Sequence, residues 1–370
     1  MTKLRLALVL GSTFVTSLAY ADTLEVGPGR PIGKPCEAFA KAKDGDTIQI
    51  DAAGDYKGDL CSITKNNLTI RGVNGRAKID GDGKTAGGKG IWNVAGNDTT
   101  IENIELFNAK SVDQNGAGIR QEGKTVTIRS CSFHDNENGI LAGDNPGSII
   151  TIESSEFAKN GFGDGFTHNL YINHVDQLVF RFNHSHDAKI GHLLKSRAKK
   201  NIVAYNRLTD EGGTASYEID LPNAGSSIIV GNIIEQSPNT DNPNIIAYGE
   251  EGVFSDWGTD LYVGNNTIVN RRPNGGTFVL VGASITTKAQ LTNNIFFGKG
   301  NVTTQTDAVQ TTNYTEADPK FADAAKLDLH LLEGSPCVDK GTTPPAMPEF
   351  HYVHPTSKTG RKVAGAAIDI

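Results

Sequence analysis

The chain has 370 residues, 42 of them glycine, against 9 tyrosines, 15 phenylalanines and 2 tryptophans, and its formal net charge is −7. An acidic chain lacks the basic face that general nucleic-acid binding requires. Asn-Gly, Asp-Gly and Gly-Asn pairs scattered throughout favour many short strands joined by turns over a helical bundle.

The N-terminus reads as a leader. A basic start, Met1–Arg5, precedes a mostly apolar run from Leu6 to Leu18 and then Ala19-Tyr20-Ala21. That is the pattern of a secretory signal peptide over residues 1–21, cut before Asp22. The apolar run is too short to span a bilayer, and no later segment is long and apolar enough. The mature chain is expected to be secreted or periplasmic, without membrane insertion. Cys36, Cys61, Cys131 and Cys337 remain after cleavage. An exported protein can hold disulfides, and Cys36–Cys61 is the favoured pair because both lie near the N-terminal end. Cys131 falls at a core position and reads as a buried free thiol.

Pro35–Ala42 reads as a short amphipathic helix with proline in its first turn, inside an N-terminal cap at about 30–45. After it the chain repeats. NLTI (67–70), TTIENIEL (99–106), TVTIRSCSF (125–133), IITIESSEF (149–157), LVFRFNHS (178–185), NIVAYNRL (201–208), SIIVGNII (227–234), LYVGNNTI (261–268) and AQLTNNIF (289–296) share one pattern. Alternating β-branched residues lead into a polar position and then an apolar one, at a period of roughly 22–35 residues. Several strands per repeat with no helix between them imply an all-β, single-stranded right-handed parallel β-helix, with a short N-terminal capping helix. Eleven or so coils would make a rod roughly 50 Å long. Asn183, Asn206, Asn232, Asn265 and Asn293 recur at about the same place and read as a ladder of amides at a tight turn. The less repetitive stretch at about 314–370 reads as a C-terminal wrap, so residues 22–370 are expected to form one domain.

The run KDGDTIQIDAAGDYKGD (43–59) followed by NLTIRGVNGRAKIDG (67–81) resembles the opening of secreted right-handed parallel β-helix proteins of the pectate-lyase-like superfamily. DPKFADAAKLDLHLLEGSPCVDKG (318–341) resembles the closing segment of many of them. The resemblance implies the fold across nearly the whole mature chain. It leaves polysaccharide lyase, uronan epimerase, glycoside hydrolase and adhesin open, because fold does not settle function.

Four segments line up as strands: THNLYIN (167–173), GHLLKSR (191–197), TASYEID (214–220) and PNIIAYG (243–249). Strict alternation places Asn169, Tyr171 and Asn173 outward, then Lys195 and Arg197, then Ser216, Glu218 and Asp220. The expected columns are Tyr171–Lys195–Glu218 and Asn173–Arg197–Asp220, with His192, Leu194, Ser196, Tyr217 and Ile219 inward.

Removing the C5 proton of a uronic acid puts charge on its carboxylate. The chemistry needs a base, a cation at the carboxylate and an acid for the leaving glycosidic oxygen. The proposed roles are Lys195 as base, Arg197 as carboxylate clamp or acid, and Tyr171 as acid. Glu218 and Asp220 are tentative Ca²⁺ ligands. Lyases of the resembled superfamily with a lysine base, an arginine and acidic Ca²⁺ ligands on one sheet face look similar. His168 is a further catalytic candidate. Asn169, Asn173, His186, Ser216 and Tyr248 are candidate substrate contacts, and Trp257, with Tyr248 and Tyr262 near it, could platform a sugar. His184-x-His186-Asp187 resembles a transition-metal pair.

The leading expectation is a monomeric exported lyase acting on an acidic, uronate-containing polysaccharide. The alternatives are a hydrolase using Glu218 and Asp220, a C5-epimerase, or a non-catalytic polysaccharide-binding protein.

Overall fold

The computed structural model describes residues 21–316 and 318–370. The proposed leader therefore lies outside the described residues, apart from Ala21. Among the described residues no helix is long and apolar enough to cross a membrane.

The chain winds as a parallel β-helix whose coils build three parallel sheets, here sheets I, II and III, of twelve, nine and ten strands. Each strand pairs with its counterpart one coil earlier and one coil later, so every sheet runs the length of the solenoid. Within a coil the order is I, II, III, as in Thr99–Glu102, Ile104–Phe107 and Ala117–Gln121.

Inward side chains stack like on like. In sheet I, Ile48, Ile70, Ile101, Ile128, Ile152, Phe180, Val203, Ile229, Val263 and Leu291 are in register along one line. All are fully buried. Burial of each such side chain stabilises the fold by roughly 1.5–3 kcal/mol, and one coil cannot bury its apolar side without the next.

The corner between sheets I and II is a single residue at positive φ: Asn103, Ser130, Ser154, Phe182, Tyr205, Gly231, Asn265 and Asn293 in successive coils. Immediately after it runs the amide ladder. Asn183, Asn206, Asn232, Asn266 and Asn294 each accept at Oδ1 from the backbone N–H one coil earlier and donate Nδ2–H to a backbone carbonyl. The ladder is present, but Asn265 and Asn293 are not its members. They occupy the left-handed corner, a conformation that asparagine also tolerates. Ser155 and Cys131 continue the line in earlier coils, where the Ser155 hydroxyl accepts from the Cys131 N–H. Cys131 is a free, buried thiol, and burial pushes its pKa up to about 12.

The cap helix spans Pro35–Lys41 and buries Ala38 and Phe39 over the end of the core. Phe39 meets Trp92 edge to face at 5.2 Å, so Trp92 is a packing residue. The Cys36–Cys61 disulfide ties this helix to the first strand of sheet III. At the other end the hairpin Phe350–Val353/Ser357–Gly360 folds back along the I–II corner. Phe350 packs on Phe182 and Tyr205, and the Tyr205 hydroxyl accepts from the Glu349 N–H.

Candidate active site

Sheet III carries the charged face. Tyr171 pairs with Lys195, and Lys195 pairs with Asp220. The column is therefore Tyr171–Lys195–Asp220, and the expected Tyr171–Lys195–Glu218 column is corrected by two residues. The cause is a local break in alternation, repeated in three coils. Asn169 and Leu170, Leu193 and Leu194, Glu218 and Ile219 all point inward as consecutive pairs, each with no exposed surface. Each pair sits where the chain enters sheet III. The residue before it stays on the site side: His168, His192 and Tyr217 form their own column, in which His192 N–H donates to His168 Nδ1 and Tyr217 N–H to His192 Nδ1. His192 and Tyr217, expected inward, therefore face the other way.

At the centre, Lys195 Nζ lies 2.9 Å from Asp220 Oδ2 and 3.3 Å from Glu251 Oε1. Arg197 Nε donates to the Tyr171 hydroxyl at 2.9 Å, its Nη2 to Glu251 Oε2 at 2.6 Å, and its Nη1 to Asn223 Oδ1. The single carboxylate of Glu251 thus bridges Lys195 and Arg197. It arrives on the loop 249–260, which joins the sheet III strand Asn244–Tyr248 to the sheet I strand Leu261–Gly264. Burial opposes its charge, but Arg197 and Lys195 outweigh that and hold the Glu251 carboxyl below its usual range. Burial raises the Asp220 carboxyl even against Lys195. Glu251 and Asn223 were missed at the sequence level. Both lie in turns, where no periodicity assigns a direction.

The histidine pair flanks this centre. His168 and His192 stack at 4.4 Å, and His192 Nε2 lies 3.4 Å from Asp220 Oδ2. Burial, then the charges of Lys195 and Arg197, lower the His168 pKa to about 3. His168 is thus neutral with its Nδ1 lone pair already engaged. It can donate from Nε2 but is not placed to take a proton at Nδ1. Its ring meets Tyr171 edge-on at 5.7 Å.

The remaining candidates divide. Asn173, half-buried, follows Tyr171 on the same face, and Ser216 is half-buried with its hydroxyl bonded by Asn242. Asn169 is interior: its amide nitrogen donates to Phe157, Ser185 and His186, and its oxygen accepts from Asn160. Tyr248 is interior too, its hydroxyl donating to the Gly225 carbonyl at 2.8 Å. Neither can touch a ligand on this face. His186 stands on sheet II, around the corner, paired with Glu156 and Asp187. Burial works against its charge, but the hydrogen bonds to Asp187 and Glu156 prevail and raise its pKa to about 9.

Glu218 lies inside the solenoid with neither carboxylate oxygen hydrogen-bonded to the described residues. Burial, then the nearby Asp210 and Glu235, raise its pKa well above the ordinary value. Burial likewise brings Asp210 and Glu235 to about 7. The expected calcium pair therefore does not assemble. Glu218 is walled off from the face, and Asp220 is engaged by an ammonium, whereas Ca²⁺ takes six to eight oxygens. The same separation removes the Glu218/Asp220 hydrolase pair.

Beside the centre, Phe254 and Trp257 of the 249–260 loop pack against His174, with ring centroids 4.5 Å (Phe254–His174) and 4.8 Å (Phe254–Trp257) apart. With Lys199, Asp144 and Asp256 they line a cleft of about 340 Å³. Trp257 is thus placed near the site. Tyr262 belongs to sheet I and does not join it. One coil beyond Leu141, Arg120 continues the Tyr171–Lys195 line toward the N-terminal end.

No family model matches the chain, and no curated protein does either. Solved structures do. Pectate lyase Pel9A superposes with a TM-score of 0.58 at 14% identity, covering 95% of this chain and 96% of that one. The chain has the pectate-lyase-like parallel β-helix fold. An alginate lyase from Paenibacillus sp. strain FPU-7 superposes with a TM-score of 0.53 at 15% identity, covering 80% of this chain and 99% of its own. At these identities the likeness establishes the fold of the chain and leaves its chemistry to the residues.

Proposed function

We propose that the protein is a polysaccharide lyase that cleaves a uronate-containing polymer by β-elimination on the outer face of sheet III. The observation that carries this reading is Glu251: Lys195 and Arg197 already grip one carboxylate between them, from a loop that lies over the strands rather than within them. A uronate carboxylate presents the same group to the same two cations. The two superposable lyases, one named for pectate and one for alginate, support the substrate class.

In the proposed reaction the substrate carboxylate displaces Glu251 and sits on Arg197. Lys195 acts as the base in its neutral form, with Asp220 at 2.9 Å orienting its nitrogen. The neutral amine takes the C5 proton. The C5–H electron pair forms the C4–C5 double bond, and the C4–oxygen bond breaks. Because Arg197 Nε occupies a lone pair of the Tyr171 oxygen, the phenolic hydrogen is free to be donated to the leaving oxygen. Phe254 and Trp257 support a neighbouring sugar ring, a use that aromatic faces suit. No step is routed through a metal.

The test is ultraviolet absorbance during incubation with a panel of uronate polymers, with Ca²⁺ and with chelator. A rising signal from the unsaturated uronate is expected. No signal, together with solvent deuterium appearing at C5, would replace elimination by epimerisation. New reducing ends without absorbance would replace it by hydrolysis.

A further inference from the structure

A second cluster stands on sheet II, outside the site above. Strand Glu156–Ala158 pairs with His184–His186, placing Glu156 beside His184, and His186 follows on the same outer face. One ligand atom from each of Glu156, His184 and His186 lies within 4.8 Å of the other two. The imidazoles of His184 and His186 stack at 4.1 Å.

Two features separate this group from an ordinary surface ion pair. His184 is only 5% exposed, yet neither of its ring nitrogens has a hydrogen-bond partner among the described residues. A buried polar ring left unpaired gives up its hydration without replacement, so the position is unfavourable as it stands. His186 is held by a second carboxylate: Asp187 Oδ2 lies 2.8 Å from Nδ1, which leaves Nε2 facing Glu156 Oε1 at 3.3 Å. A carboxylate on the far nitrogen is the arrangement that orients metal-ligating histidines.

The cleft holding these residues measures about 640 Å³ and is bordered on the other side by the C-terminal segment, including His330 and His354. His354 lies edge-on to His184 at 5.0 Å. Arg207, the neighbour of His184 in the next coil, is turned to Glu211 at 3.2 Å. Glu156 and Asp187 are then the carboxylates left to balance a dication.

We propose that Glu156, His184 and His186 bind a divalent transition-metal ion of the zinc class beneath the C-terminal hairpin. Two imidazoles and one carboxylate suit Zn²⁺ over the oxygen-seeking Ca²⁺ and Mg²⁺. Three protein ligands leave a fourth position, and His354, whose ring lies 5.0 Å from that of His184, is the hairpin side chain that would fill it. The metal takes the place of the hydrogen bond between His186 and Glu156 and gives a partner to the otherwise unpaired His184. With His354 in that position it also fastens the C-terminal wrap to the solenoid, independently of the chemistry on sheet III.

The test uses the tag-free mature protein, stripped with chelator and titrated with Zn²⁺ alone by calorimetry, with Co²⁺ as a spectroscopic substitute. One equivalent is expected to bind, with a visible Co²⁺ absorption of four-coordinate intensity and slower proteolysis of the 350–360 hairpin. Glu156→Gln and His186→Gln should each weaken binding at least tenfold, as should His184→Gln, with circular dichroism unchanged. Glu156 is part-exposed, so its variant stays informative should His184→Gln fail to fold. Lys195→Ala should bind Zn²⁺ normally. No stoichiometric binding by the wild type, or undiminished binding by the folded Glu156→Gln and His186→Gln variants, overturns the proposal.

Discussion

Sheets I and III both display arginine, lysine and carboxylate side chains on their outer faces, but they neutralise them differently. On sheet I, Arg71, Glu102, Arg129, Glu153 and Arg181 alternate in sign along five coils in register. Each arginine finds its carboxylate in the adjacent strand, at 2.7 Å for Arg71–Glu102 and 3.1 Å for Arg129–Glu153. The arginine side chains there are 42–48% exposed. On sheet III, Lys195 and Arg197 are 11% and 16% exposed; Lys195 keeps one strand partner, Asp220, but the carboxylate that bridges the two cations comes from a loop. A charge paired within the strands is part of the wall. A cation pair neutralised by a loop has an exchangeable partner. The lesson is that the source of the counter-charge, more than the number of charges, separates a binding face from a decorated one.

The largest effect should come from the sheet III column. Lys195→Ala should lower turnover by about 10³-fold or more, and Tyr171→Phe by about 10²-fold, as removal of proton-transfer groups does. Both are read by unsaturated-uronate absorbance on protein whose melting temperature has been checked. Activity near wild type in Lys195→Ala would erase the distinction between the two faces.

Next comes stability. The carboxyls of Glu218, Asp210 and Glu235 titrate higher folded than unfolded. At these three positions the folded chain therefore holds more protons between about pH 4 and 7, and their contribution to stability falls as pH rises through that window. Glu218→Gln removes one of these groups. It should raise the melting temperature by several degrees at pH 8 and change it little at pH 4, by calorimetry at both. An equal shift at the two values would mean that Glu218 is not protonated in the folded protein.

A smaller effect belongs to Glu251. Glu251→Gln keeps the shape but weakens the hold on Lys195 and Arg197, so KM for a uronate polymer should fall a few-fold with kcat little changed. A rise in KM would make Glu251 a substrate-positioning residue instead of a placeholder. The smallest belongs to sheet I: Arg129→Ala should leave activity unchanged and cost under about 1 kcal/mol in urea unfolding, the usual worth of an exposed ion pair.

Much of the architecture was legible in the residues. Alternating β-branched runs at a regular period announced the solenoid, Pro35 marked the cap helix, and Cys36–Cys61 followed from proximity in the chain. The pairing of Tyr171 with Lys195 was also legible. What failed was strict alternation at the entry to sheet III. Two consecutive inward residues shift the parity of everything before them, so Asn169 and Glu218 were placed on the wrong side while Asp220 kept its side and changed its partner. Nothing local distinguishes Tyr217-Glu218-Ile219 from a regular strand, and burying Glu218 runs against the ordinary cost of a hidden carboxyl. The doublets Asn265-Asn266 and Asn293-Asn294 were ambiguous for a different reason. Corner and ladder both accept asparagine, and only the backbone dihedrals separate them. Glu251 reaches Arg197 from more than fifty positions away, through a turn whose path no repeat dictates.

The one-residue corner between sheets I and II has an evolutionary consequence. The first such corner, Asn74–Arg76, is longer, but from Asn103 onward each turn keeps one left-handed residue, and the amide ladder locks its far side in the later coils. The corner after sheet III ranges from Arg197–Lys199 to the whole of 249–260. Change in chain length is thereby channelled to the two edges of sheet III, since the corner before that sheet also varies, from 299–300 to 159–169. A lineage, or a library of variants, can lengthen and recompose 249–260 while every stacked isoleucine keeps its neighbours, and the loop that carries Glu251, Phe254 and Trp257 can change without the scaffold taking part.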